Sequence, residues 1–313
     1  MNTEETSQTR FEGAGAAVAQ RASSATKDAA RPYRLVWFQH FHKAGGSSLI
    51  ELAKASGETF YPQNANANPL DAHGKTIPLW QFHEEALTAF VDSCEAKGVT
   101  FVATEWGVPD FRVLANDPRV VSVTCLRDPF SRIMSCYRFD MHYAFTPAVS
   151  IFDYFDDHSL AFRQRDYYVN GLAAGTGSSH VAGPRGLALA KENLAAIDHI
   201  VVLEGEHPFR RLADALGWLV DVSPKTNVRR TPARMFARAI YRRSCSALNN
   251  AIWLNITYRL RDLEAFKSHF ANVNHRDAEL FVHARELAAR PLAKAPYGRG
   301  MDEDQSAQYG LAR

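Results

Sequence analysis

Apolar residues fall along this chain in two patterns, short unbroken runs and helically spaced stripes, with turn residues between them. Leu35-Val36-Trp37-Phe38 is an apolar run of strand length. After a small-residue turn, Leu49, Ile50, Leu52 and Ala53 recur at helical spacing and stop before Gly57, a suitable C′ glycine. Residues 84–97 read as a helix with Leu87, Phe90, Val91 and Cys94 on one side, ended by Gly98. Residues 99–104, 120–126 and 199–203 are further strands rich in β-branched residues. Asp128 and Pro129 suit the N-cap and N1 positions, so a helix starts directly after the third strand. Another helix is expected over 208–216. Strands of this kind alternating with helices predict an α/β fold with a mainly parallel sheet flanked by helices. Residues 231–270 read as helical almost throughout and 277–289 as one more helix, giving a helical C-terminal part. The Pro/Asn-rich passage 61–69 reads as loop, either a substrate-covering segment or a surface insertion.

Residues 32–290 carry this pattern and form one expected domain. Residues 1–31, rich in Ala, Ser, Thr and Gln, and the polar 291–313 read as disordered lead-in and flexible tail. No apolar run approaches the roughly 20 residues of a membrane span, and the N-terminal stretch lacks the apolar core of a signal peptide. A cytoplasmic protein is expected. With 36 basic and 34 acidic residues the net charge is +2, which predicts no nucleic-acid partner and makes any basic site local. One such site lies at 225–243, where seven basic residues occur without an acid. Arg230, Arg234, Arg238 and Arg242 advance along one side of a basic amphipathic helix, 230–242. It is a solvated face, a contact for an anionic acceptor, or a peripheral membrane surface. The four cysteines are scattered without metal-ligand spacing and read as reduced, mostly buried thiols.

The chemistry concentrates where the first strand gives way to the first helix. Residues Lys43-Ala44-Gly45-Gly46-Ser47-Ser48 join a strand end, a glycine turn and a helix N-terminus, where free N–H groups and the helix dipole favour an anion. Lys43 adds charge and the serines add donors, so phosphate binding is expected. A P-loop phosphotransferase or kinase places its lysine after the glycines and holds Mg²⁺ nearby. Here Lys43 precedes Gly45 and Gly46, and no strand ends in an evident magnesium-holding Asp. That order disfavours the kinase, and no metal is expected. Glu105 and Arg127 also follow strand ends, so one cleft accommodates Lys43, Glu105 and Arg127 together.

Two stretches carry a family resemblance. His40-Phe41-His42-Lys43-Ala44-Gly45-Gly46-Ser47-Ser48-Leu49 resembles the 5′-phosphosulfate loop, His-Ile-Pro-Lys-Thr-Gly-Gly-Thr-Ser-Leu, of carbohydrate sulfotransferases that use 3′-phosphoadenylyl sulfate (PAPS), of the heparan sulfate 2-O/6-O type. Leu126-Arg127-Asp128-Pro129 with Arg132, Ser135 and Tyr137 is similar to that family's 3′-phosphate motif. Weaker echoes at 170–175, 190–194, 200–204, 227–229 and 277–281 extend the likeness over about residues 34–290, with 170–175 resembling a loop near the nucleotide.

The resemblance implies a P-loop-like core and transfer of a sulfuryl group from PAPS to an acceptor hydroxyl, on a glycan, glycolipid or small molecule. Lys43 would neutralise the bridging oxygen. Ala44, Gly45, Gly46, Ser47 and Ser48 would surround the 5′-phosphate, and Arg127 and Ser135 would hold the 3′-phosphate. Glu105 stands where the related pattern has a histidine base, and a desolvated Glu with a raised pKa suits that role. His83 is the second candidate base. His42, where the family commonly has proline, is expected to line the sulfate pocket. Arg132 is expected either in the nucleotide region or paired with Asp128. The aromatic stretch Phe139, Tyr143, Phe145, Phe152, Tyr154 and Phe155 reads as core or as a sugar-stacking surface, with core favoured. The replacement of His by Glu105 also keeps open an inactive nucleotide-binding scaffold.

Overall fold

A computed structural model of the chain describes residues 32–142, 145, 146, 148, 150–157, 159–174, 183–218, 240, 241 and 263–290. The chain divides into two compact units, Met1–Tyr33 and Arg34–Arg313; only Pro32 and Tyr33 of the first are described. The expected lead-in 1–31, the tail 291–313, the echo at 227–229 and nearly all of the basic helix 230–242 lie outside the described residues.

Strand β1 (Leu35–Gln39) leads into α1 (Gly46–Ala55). A two-residue ribbon, β2 (Asn64–Ala65) and β3 (Asn68–Pro69), precedes α2 (Glu84–Ala96), β4 (Phe101–Thr104) and the short α3 (Phe111–Leu114). Then come β5 (Val120–Leu126), α4 (Pro129–His142), α5 (Ile151–Asp156), α6 (Tyr167–Ala174), α7 (Pro184–Ala195) and β6 (His199–Val202). The described remainder is helical: α8 (Arg210–Leu216), α9 (Leu263–Val273) and α10 (His275–Ala289). Among these residues no helix is long and apolar enough to cross a membrane.

The four long strands form one parallel sheet in the order β4-β1-β5-β6, flanked by helices. Every residue of β1, β4 and β5 is buried, which is why their sequences are continuous apolar runs rather than alternating ones. One core cluster joins Val36, Phe38, Phe101 and Val123 to Leu49 and Ile50 of α1 and Leu212 of α8. A second gathers Ile133 and Tyr137 of α4, Tyr154 and Phe155 of α5, and Phe266 and Phe270 of α9. The aromatic stretch therefore divides. Tyr154 and Phe155 are core and Phe152 packs on it, whereas Phe145 is exposed. Cys94, Cys125 and Cys136 are buried free thiols.

Two reported expectations change. The passage 61–69 is no plain loop: Asn66 and Ala67 both take left-handed φ values (53° and 65°), turning the chain between β2 and β3. The Ala67 carbonyl then accepts the Ala103 N–H at 2.9 Å, docking the ribbon on β4. Residues 170–174 are helical, because they end α6 rather than forming a loop.

Helix α6 is anchored reciprocally to α10. The buried Asp277 carboxylate accepts the N–H groups of Tyr168 (3.2 Å) and Val169 (2.9 Å). Asp166, just before α6, accepts the Asp277 N–H at 3.3 Å and the Arg276 guanidinium at 2.9 Å, and its own N–H goes to Asn274 Oδ1 at 2.8 Å. Each aspartate thus satisfies first-turn donors of the other helix.

Candidate functional site

In this strand order the chain leaves β1 for β4 on one side and returns to β5 on the other. The carboxyl ends of β1 and β5 therefore flank a topological switch point, where α/β sheets form their ligand crevice. Residues 40–45 follow β1, Glu105 follows β4 and Arg127 follows β5, so all three segments open at the same sheet end.

After β1, the His40 N–H still pairs with the Thr104 carbonyl at 2.9 Å, and the Ala44 N–H closes a turn onto Phe41 at 3.1 Å. Lys43 (φ 61°) and Gly45 (φ 92°) are left-handed, and Gly46 opens α1. A left-handed lysine costs on the order of 1–2 kcal/mol, so the surrounding contacts must hold it. A Cβ on Gly46 would lie 1.9 Å from His40 Nε2, and one on Gly45 2.7 Å from Leu203. These glycines admit the protein's own side chains, a packing reason additional to the anion approach expected from sequence. Ala44 is fully buried, whereas Ser47 is exposed and Ser48 partly so. Gly46 and Ser47 present the first-turn amides of α1, which have no intrahelical acceptor.

Lys43 reaches across to α4, with Nζ 3.6 Å from the centre of the Phe139 ring, one turn beyond Ser135. Ser135 is partly exposed on that helix. The Arg127 backbone is pinned by the Tyr168 hydroxyl, which accepts its N–H at 3.2 Å and donates to its carbonyl at 3.0 Å. Its partly exposed side chain has no ion-pair or hydrogen-bond partner among the described residues. Tyr167, the neighbour of Tyr168 on α6, accepts the His42 N–H at 3.0 Å. Two adjacent tyrosines thus set the backbones of both loops.

Arg132 fits neither sequence expectation. It is 2% exposed, donates to the Phe162 carbonyl at 2.8 Å and lies 4.2 Å from the Tyr167 ring centre. Asp128 instead accepts the Ser131 N–H at 2.8 Å as the N-cap of α4. Arg132 lies beneath the tyrosines, because its position on α4 faces the core.

Glu105 lies between two histidines. Oε1 is 3.4 Å from His42 Nδ1, and Oε2 is 3.5 Å from His40 Nδ1. Asn66 Nδ2 donates to Oε2 at 3.2 Å, and Asn68 Oδ1 accepts the Glu105 N–H at 2.8 Å. Burial raises the proton affinity of this carboxyl, but the His42 hydrogen bond, the two imidazole charges and Asn66 outweigh it. Its pKa lies below the ordinary value, the reverse of the raised value expected of a basic Glu. Burial also lowers His40, against the opposing pull of Glu105. The Glu105 surroundings were hidden in the sequence except through register. Gln39 pairs with Thr104, so His40 and Glu105 are the next residues of adjacent parallel strands. His83 is exposed at the N-cap of α2 and makes no side-chain contact with this cluster among the described residues. No group of three His, Cys, Asp or Glu side chains is arranged to hold a metal ion among the described residues.

A cavity of about 1180 Å³ runs along β6 and α10 and meets this region only at Asp128 and Ser131. Lys43, Arg127 and Glu105 lie outside its lining, so the candidate chemistry lies apart from this cavity. Cationic groups, first-turn amides and hydroxyls beside an anionic carboxylate suit a polyanion next to a proton-accepting cluster. Comparison with protein-family models, curated proteins and solved structures gave no match.

Proposed function

We propose that this chain is a sulfotransferase that uses PAPS as donor and a hydroxyl as acceptor, on a P-loop-like arrangement of β1, its loop and α1. The observation that carries the reading is the convergence of two motifs far apart in sequence. Lys43, from the loop after β1, lies on α4 one turn beyond Ser135, and the Arg127 side chain, without a partner among the described residues, precedes the same helix.

In this reading the donor supplies an activated sulfuryl group and leaves as adenosine 3′,5′-bisphosphate. The first-turn amides of α1 and the Ser47 and Ser48 hydroxyls bind the 5′ end. Arg127 and Ser135 bind the 3′-phosphate through charge-assisted hydrogen bonds. Lys43 moves from the Phe139 face, where a cation–π contact holds its charge close to the site, to neutralise the bridging oxygen. The acceptor hydroxyl enters at the Glu105 side, where the adjacent Trp106 is 63% exposed and is of a residue type suited to stacking on a sugar. Positioning and charge stabilisation carry the rate.

The test is transfer of labelled sulfate from PAPS to a panel of hydroxylated glycans, glycolipids and small molecules. ATP with Mg²⁺ serves as the competing donor. Label transfer from PAPS supports the function; phosphoryl transfer from ATP alone overturns it in favour of a phosphotransferase. Binding of adenosine 3′,5′-bisphosphate without transfer to any acceptor assigns the chain to the nucleotide-binding scaffolds.

A further inference from the structure

We propose that His42, rather than Glu105, takes the proton from the acceptor hydroxyl, with Glu105 as the carboxylate that positions it. The inference rests on the sulfuryl-transfer reading and identifies the base within it.

Both Glu105 oxygens are engaged, Oε1 by His42 and Oε2 by Asn66 and His40, and only 12% of the side chain is exposed. A carboxylate facing Nδ1 fixes the neutral His42 ring as the Nδ1–H tautomer, which leaves the lone pair on Nε2. Nε2 is buried and has no hydrogen-bond partner among the described residues. The ring is held from several sides. Its face stacks on Phe162 at 4.2 Å, its edge meets Phe139 at 6.4 Å, and its backbone N–H is bound by Tyr167. A long 3.4 Å contact to the carboxylate is ordinary for a catalytic pair without substrate.

His40 does not share this role. Its Nδ1 faces Glu105 and Asn66, and its Nε2 is pressed against the Gly46 backbone. The charged and titratable groups around His42 are Glu105, His40, Lys43 and Tyr167, with Arg132 behind the Tyr167 ring. Lys43 and His42 both contact Phe139, so the cation for the leaving group and the base for the acceptor converge on one ring.

The step balances. The acceptor oxygen forms its bond to sulfur as the sulfur–oxygen bond to the 5′-phosphate breaks. The electron pair leaves on the phosphate oxygen opposite Lys43. The hydroxyl proton moves to His42 Nε2, giving an imidazolium whose charge faces Glu105.

The experiment compares wild type, His42→Gln and Glu105→Gln by pH–rate profile, with calorimetry of adenosine 3′,5′-bisphosphate on each. His42→Gln is expected to lower kcat by roughly 10²–10⁴-fold, to remove the acid limb and to leave nucleotide affinity within about twofold. Glu105→Gln is expected to lower kcat yet keep an acid limb, because the base stays and only the carboxylate that positions it is lost. Nitrogen NMR of the His42 ring is expected to report the Nδ1–H tautomer, independently of any acceptor. An Nε2–H tautomer, or a His42→Gln variant that keeps rate and acid limb while Glu105→Gln loses both, overturns the assignment and leaves the sulfotransferase reading intact. A wild-type chain that transfers nothing from PAPS overturns both.

Discussion

Asp277 offers the most quantitative test of how the site is held. Its carboxyl is fully buried, and burial raises its pKa from 3.8 to about 7, against the pull of the Val169 amide and Arg132. Between these values the folded chain binds a proton that the unfolded chain does not, so the contribution of Asp277 to stability is greatest below about pH 4 and declines as pH rises to about 7. Roughly three pH units at about 1.4 kcal/mol each give a loss on the order of 4 kcal/mol across that window. His40, lowered by burial, acts in the opposite sense, its contribution falling as pH drops below the ordinary imidazole value. The wild-type profile alone therefore mixes the two. The clean quantity is the difference between wild type and Asp277→Asn, measured by urea unfolding at a series of pH values from 4 to 8. The amide keeps an acceptor for the α6 amides but cannot ionise. Wild type is expected to lose stability relative to the variant as pH rises, by about 2–4 kcal/mol over the series. A difference that stays flat refutes the claim that Asp277 is protonated in the folded chain near neutral pH. Because α6 carries Tyr167 and Tyr168, the same series read by nucleotide binding reports whether this anchor governs the site.

Three further outcomes are expected. Lys43→Ala abolishes sulfuryl transfer while leaving the fold intact, as read by labelled-PAPS turnover and circular dichroism; near-normal turnover removes the loop from the chemistry. Arg127→Ala weakens adenosine 3′,5′-bisphosphate by about 10–100-fold in calorimetry, from the loss of about 1.5–3 kcal/mol of charged hydrogen bonding, and unchanged affinity refutes its contact with the 3′-phosphate. Gly46→Ala sets a methyl group 1.9 Å from His40 Nε2 and displaces that ring from Glu105. The variant is expected to unfold about 1–3 kcal/mol more easily in urea, and wild-type stability contradicts the packing described.

Much of the architecture could be read from local pattern. The apolar runs at β1, β4, β5 and β6, the Asp128-Pro129 helix start and the stripe over α2 are signals spanning a few residues, and each element forms where its period changes. The glycine turn after β1 and the Leu-Arg-Asp-Pro stretch were equally legible, because their chemistry lies in consecutive side chains. Strand order was not. Wholly buried parallel strands lack the alternation that would distinguish one neighbour from another, so only packing selects β4-β1-β5-β6. The partners of Glu105 follow from that order: register sets it beside His40, and the Asn66-Ala67 turn delivers two amides from a passage that reads as loop. Arg132 shows the same limit in reverse, since its place in a motif suggests a ligand while its place on α4 puts it under two tyrosines. The amino-acid sequence by itself determined which segments form strands, helices and the glycine turn at a helix N-terminus, through short-range helix and turn physics. Tertiary structure decided which side chains meet there, because contacts between distant segments depend on register and burial, which no local spacing encodes.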